Sequence, residues 1–256
     1  MNKIVDSLFN ICQIEELARE DRWINKIHPL IKMIVTVLFI FSITSINKYD
    51  IQNLIFYGVY PILAILAGNI NFKKLKEKMI IPFIFSLSFG IFNPLLDTNI
   101  IKIYDNIFIS AGWLSFLVIS IKSLLLITTA LILISTTRIE DIAYSLNWLK
   151  LPRIMVIQLI LMFRYITILI KEFDKTITAY SMRSNQVSLT FSVWGSLIGQ
   201  IFLRASKKSI RLYESMKLRG FDGKIIQRTN KIGKIDLIYL FFNILVLSLL
   251  MGMRVL

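Results

Sequence analysis

The chain has 256 residues, of which 55% are hydrophobic, with a formal charge of +14 and a mean hydropathy of +0.66. That apolar content excludes an ordinary soluble domain. Several apolar runs approach or exceed the roughly 20 residues that cross a bilayer, which points to a polytopic membrane protein. The charge alone would fit a nucleic acid partner, but the basic residues lie in the loops between apolar runs. The positive-inside rule accounts for them there, so no nucleic acid partner is expected.

Residues 1–27 are mixed in charge, and Ile4, Leu8, Ile11 and Leu17 are spaced for one face of a helix lying at the cytoplasmic interface. Glu15, Glu16, Glu20 and Asp21 interrupt this stretch, so it does not read as a secretory signal. Cys12 is the only cysteine, which removes disulfide frameworks and thiolate metal clusters. His28-Pro29 breaks the pattern, and a first span is expected over 30–46. A second follows over 51–70. The run Lys73-Lys74-Leu75-Lys76-Glu77-Lys78 after it is strongly basic and so cytoplasmic. A third span is expected over 79–96. The loop 97–106 suits the outside. The apolar run 107–136 is long enough for a surface segment ahead of the fourth crossing.

From Arg138 to Lys234 there are 17 Lys and Arg against 6 Asp and Glu, so this region holds +11 of the +14. It reads as cytoplasmic, and a last span follows over 235–253. A cytoplasmic N-terminus, five crossings and an outside C-terminus agree with each loop charge. Residues 154–170 are apolar enough to cross. However, Gln158 and Arg164 interrupt them, and Gly195–Leu203 is too short to return the chain. Long amphipathic helices along the cytoplasmic boundary are expected instead. The fold class is therefore all-α, with about five transmembrane helices. Its parts are a membrane domain (1–137), a cytoplasmic helical module (138–234) and a C-terminal transmembrane helix (235–256).

Within the module, Ile198, Ile201, Phe202, Ala205, Leu212 and Met216 fall on one helical face, with Arg204, Lys207, Lys208 and Arg211 on the other. This helix should end at Leu218-Arg219-Gly220, where glycine offers a left-handed cap and arginine suits the negative helix end. The same idea recurs at Met182-Arg183-Ser184. Arg183 and Arg219 are thus candidates to enter another protein, where a guanidinium pairs with carboxylates or carbonyls. The plainer alternative is a solvated arginine at a helix end. Gly195 and Gly199 form a small-xxx-small pair that permits close helix approach.

Other polar residues carry weaker signals. Lys32 is near a span end and should snorkel to the interface. Lys122 lies deeper in an apolar run. Asn93-Pro94 fits a helix end or helix packing. His28, the only histidine, has no ligand cluster around it and reads as interfacial structure. Asp97 and Asp105 read as solvated. The patterns GxxxxGK[ST], HExxH and GxSxG are all missing, so neither catalytic residues nor metal ligands are assigned and an enzyme is not expected.

Several segments together carry a family resemblance. They are Glu16-Leu17-Ala18, Trp23, His28-Pro29-Leu30-Ile31-Lys32, Phe92-Asn93-Pro94-Leu95, Thr136 to Ile142, Leu151-Pro152-Arg153, Leu161 to Ile166, Glu172, Phe202 to Ser206, and Met216 to Phe221. In this order and at these distances the chain resembles the transmembrane T component of energy-coupling factor transporters, of the cobalt type. The resemblance implies a multi-pass protein of a prokaryotic plasma membrane that binds no cofactor itself. It also implies two ATP-binding cassette ATPase subunits, which hold ATP and Mg²⁺, and a substrate-binding S component in the membrane. Two coupling helices, each with an Ala-Arg-Gly type motif, would dock on the ATPases and pass their motion to the S component. Here Leu218-Arg219-Gly220 lacks the alanine, and Met182-Arg183-Ser184 has serine for the usual glycine. Cobalt is the implied cargo, with nickel or a vitamin as alternatives. A self-contained secondary transporter would instead require intramembrane acids or paired broken helices, which the sequence does not offer.

Overall fold

A computed structural model describes residues 18, 22–47, 50–70, 72–96, 100–104, 107–183, 191–223 and 232–252. In chain order its elements are α1 (Trp23–Lys26), α2 (Pro29–Thr44), α3 (Ile51–Tyr57), α4 (Val59–Ala67), α5 (Phe72–Gly90), α6 (Asn93–Leu96), β1 (Ile100–Tyr104), β2 (Ile107–Ser110), α7 (Ala111–Thr136), α8 (Ile139–Trp148), α9 (Arg153–Arg183), α10 (Phe191–Leu218) and α11 (Lys234–Gly252). The fold is all-α apart from one short hairpin. Ile4, Leu8, Ile11 and Leu17 of the expected interfacial helix lie outside the described residues. The chain forms two compact units, one of Leu17–Arg138 with Asn230–Leu256, the other of Ile139–Thr229 with Met1–Glu16.

In the first unit α7 is the hub, packing against α2, α3, α4, α5 and α6. It is apolar nearly all round, the pattern of a helix surrounded by others. Several of its buried hydroxyls are satisfied within the helix: Thr128 and Thr129 donate to the carbonyls of Leu124 and Leu125 at 2.6 and 3.0 Å, and Thr136 donates to Ile132 at 2.8 Å. In a bilayer a polar group must find its partner inside the protein, and back-bonding to the preceding turn does this. Phe39, Ile43, Leu54, Tyr57, Val118, Leu125 and Leu247 join α2, α3, α7 and α11 in one apolar core.

Local chemistry sets the helix ends. Pro29 occupies the first turn of α2, where its missing N–H costs nothing, and His28 Nδ1 accepts from the Leu30 N–H at 3.3 Å. His28 is thus a buried cap. The second apolar run divides at Gly58, because Pro61 has no N–H to offer the Tyr57 carbonyl. The third run departs further from expectation. Its helix starts at Phe72, just ahead of the basic segment, and stops at Gly90, leaving Asn93–Leu96 as a separate turn. β1 and β2 pair antiparallel, with Ile101 opposite Ile109, and were not foreseen.

The two lysines in apolar runs find internal partners. Lys32 is 4% exposed, and its Nζ donates to the Thr136 carbonyl at 2.8 Å. It therefore does not snorkel: the end of α7 lies within reach, and a cation satisfies the free carbonyls there. Lys122 does the converse, donating from α7 to the carbonyl of Ile46, just beyond the end of α2. Lys32 to Ile46 and Lys122 to Thr136 are each fourteen residues, so the two contacts match along an antiparallel pair. Asp236, in the first turn of α11, is also buried. Its two oxygens accept from the N–H groups of His28 and Gly233, each at 2.8 Å, tying the start of α11 to the start of α2.

The second unit contains α8, α9 and α10. Glu140 and Asp141 stand in the first turn of α8, where the helix dipole favours acids, and Lys150 turns the chain at φ +61° beyond its end. Pro152 precedes α9. By length and composition α7, α9 and α11 each suffice to cross a membrane. At 1.5 Å per residue α9 is about 46 Å long.

Candidate functional site

α9 and α10 pack antiparallel. The Lys208 ammonium meets Glu172 Oε1 at 2.6 Å, Arg204 donates to Thr176 Oγ1 at 3.4 Å, and the rings of Phe173 and Trp194 stack with centroids 6.2 Å apart. Thr176 Oγ1 in turn donates to the Glu172 carbonyl at 2.7 Å. Arg204 and Lys208 were expected on the polar face away from the packing seam. They stand instead at its edge, because position 208 is three residues from Ala205 and one turn from Arg204, which brings both within reach of α9. Between the helices runs an apolar groove of about 680 Å³, walled by Ile157, Leu161 and Tyr165 on one side and by Ala205, Leu212 and Met216 on the other. Ile198 and Phe202, on the expected apolar face, remain 57% and 71% exposed.

The structure places both singled-out arginines at exposed helix ends. α10 ends at Leu218, and Gly220 takes φ +77°. The Phe221 N–H reaches the Met216 carbonyl and the Gly220 N–H reaches that of Lys217, both at 3.0 Å. These are the two bonds of a Schellman cap, and only glycine adopts the required left-handed backbone without strain. Arg219 sits inside this cap with its side chain exposed, beside a Leu218 that is 90% exposed. Arg183 is the last residue of α9, and both it and Met182 are exposed. Ser184 lies outside the described residues. The arginines do not converge. They close the far ends of two helices that run in opposite directions past the Glu172–Lys208 contact.

Gly195 and Gly199 face open space: among the described residues no atom lies within 4 Å of a Cβ added at either. The close approach they permit is not used by another described helix of this chain. Among the described residues no three His, Cys, Asp or Glu side chains gather as metal ligands do. Sequence reasoning passed over Thr176 and Asp236. The signal for Asp236 was present, since it is the only acid in an otherwise apolar final run.

The cobalt transport protein family CbiQ matches over residues 20–230. Uncharacterized protein MJ1571 of Methanocaldococcus jannaschii is 24% identical over 248 residues, covering 92% of this chain and 84% of that protein. MJ1089 of the same organism is 32% identical over 101 residues, which is 39% of this chain and 38% of its own length. The nickel permease LarQ of Lactiplantibacillus plantarum is 25% identical over 122 residues, 47% of this chain and 45% of LarQ. The chain thus spans under half the length of the last two relatives. With most of its length matched, the chain belongs to the CbiQ family of cobalt transport proteins, membrane components of transport rather than catalytic proteins.

Proposed function

We propose that this chain is the non-catalytic coupling subunit of an ATP-driven importer of the energy-coupling factor type. In this reading residues 138–234 are the cytoplasmic module. The ends of α9 and α10, with Met182, Arg183 and Ser184 on one and Leu218, Arg219 and Gly220 on the other, each dock on one ATP-binding cassette subunit. ATP and Mg²⁺ belong to those subunits. A substrate-binding S component in the membrane receives the motion. The observation that carries the reading is the pair of exposed arginines, each closing a long helix. Both arginines are exposed, so their guanidinium groups can meet carboxylates or carbonyls of a partner groove. The N-terminus is cytoplasmic by the loop charges, and α9 lies along the boundary despite its apolar length.

The family favours cobalt as cargo. The similarity to a nickel permease supports nickel as the second reading. Co-expression with the neighbouring genes, affinity capture of this chain and mass spectrometry test the assignment. An ATPase and a small membrane subunit are the expected companions, and that subunit's metal ligands identify the cargo. Arg219→Glu should abolish ATPase capture and transport with the membrane helices still folded, and Arg183→Ala should weaken capture less. Transport by the purified chain alone, without ATP, would replace this reading with a secondary transporter.

A further inference from the structure

The groove between α9 and α10 is open. Met162, Phe202 and Tyr213 line it, and each is more than half exposed. Both walls belong to one compact unit. That unit also takes in Met1–Glu16, although Leu17, the next residue, goes with the membrane unit. Residues 1–16 lie outside the described residues, but their sequence has a definite pattern. Ile4, Leu8 and Ile11 recur at i, i+4 and i+7, the anchor spacing of an amphipathic helix that lays its apolar face in a groove. At 1.5 Å per residue this stripe is about 10 Å long, and the wall from Ile157 to Tyr165 on α9 is about 12 Å. Charge is matched as well. Residues 1–21 hold five Asp and Glu against two Lys and Arg, whereas α9 and α10 together hold ten Lys and Arg against three Asp and Glu.

We propose that residues 1–16 dock in cis in the α9–α10 groove as an amphipathic helix, with Ile4, Leu8 and Ile11 against the apolar walls and the acids beside the surplus cations of the two helices. The bilayer surface is the competing seat. Helices that lie there carry Lys and Arg on their polar face, and the cytoplasmic leaflet is anionic. A stretch with a net charge of −3 over residues 1–21 is repelled by that leaflet and drawn to α9 and α10. A second copy of the chain, seating its own α9–α10 face there, would set like charges against each other. The groove of the free chain is then covered, and a partner helix that uses it must first displace residues 1–16. The proposal goes beyond the coupling role and does not depend on it.

Cys12 supplies the test. It is the only cysteine and falls one turn beyond Leu8, beside the apolar stripe, so its reaction with a water-soluble maleimide reports on docking. The purified full-length chain in phosphatidylcholine nanodiscs should react at least about tenfold more slowly than a peptide of residues 1–16, since a closed site is protected in proportion to how rarely it opens. Met162→Asp and Leu212→Asp, one on each wall, put an acid in the groove and should each return the rate to near that of the peptide. Leu203→Asp adds the same acid to α10 at an exposed position outside the groove lining and should leave the protection intact. Met162 is half exposed, so its variant keeps the fold even where Leu212→Asp does not. Peptide-like labelling of the wild type overturns the proposal. So does protection that survives Met162→Asp, which would seat the segment on the lipid, or protection lost in Leu203→Asp. Because no ATPase is present, the result is independent of the coupling assignment.

Discussion

The membrane unit and the α9–α10 pair handle their charged side chains in different ways. In the former, Lys32 and Asp236 are buried and end on backbone groups at helix termini, and Lys122 likewise ends on a backbone carbonyl. In the latter, Glu172 and Lys208 meet side chain to side chain while about a third exposed. Buried charge is tolerable only when fully satisfied, so the membrane unit commits its ions to fixed carbonyls and N–H groups. A partly exposed ion pair contributes little and yields cheaply. The first arrangement holds helices at one spacing, and the second leaves two long helices joined by a seam that can adjust.

Four substitutions sharpen or break this contrast. Asp236→Ala should cost the most, about 3 kcal/mol of unfolding free energy in mixed detergent, since two charge-assisted bonds are lost and the buried His28 N–H is left open. Lys32→Met should cost about 2 kcal/mol, as the Thr136 carbonyl loses a charged donor in a dry setting. Gly220→Ala should cost about 1 kcal/mol, because φ +77° strains an L side chain, and hydrogen exchange should show the last turn of α10 fraying. Glu172→Gln should cost no more than about 1 kcal/mol, with an effect that shrinks in high salt. If Glu172→Gln proves as costly as Lys32→Met, the contrast between the units is wrong.

Much of this was legible in the residues. Hydropathy and loop charge located the first and last apolar helices to within a few positions but misplaced the third, and His28-Pro29 and Gly220 marked a helix start and a helix end through backbone chemistry alone. The hairpin at Ile100–Ser110 was hidden because an apolar run scores alike as helix or strand. Only the alternation in Ile100-Ile-Lys-Ile-Tyr104 hinted at it. The destinations of Lys32 and Lys122 were beyond reach, since they follow from which helix end lies opposite, a tertiary fact. Arg183 and Arg219 stood out as the last residues of amphipathic runs. That the two helices run in opposite directions emerged only from the contacts of Arg204 and Lys208.

The matched lysine contacts have a mechanical consequence. A beam fastened at one point can pivot, and a beam fastened at two points along its length can neither pivot nor slide. With Lys32 pinned near one end of the α2–α7 pair and Lys122 near the other, a slip of one turn would break both contacts at once. The pair therefore has one setting rather than a range of them. Relative motion within this unit thus falls to helices that carry no such double fastening.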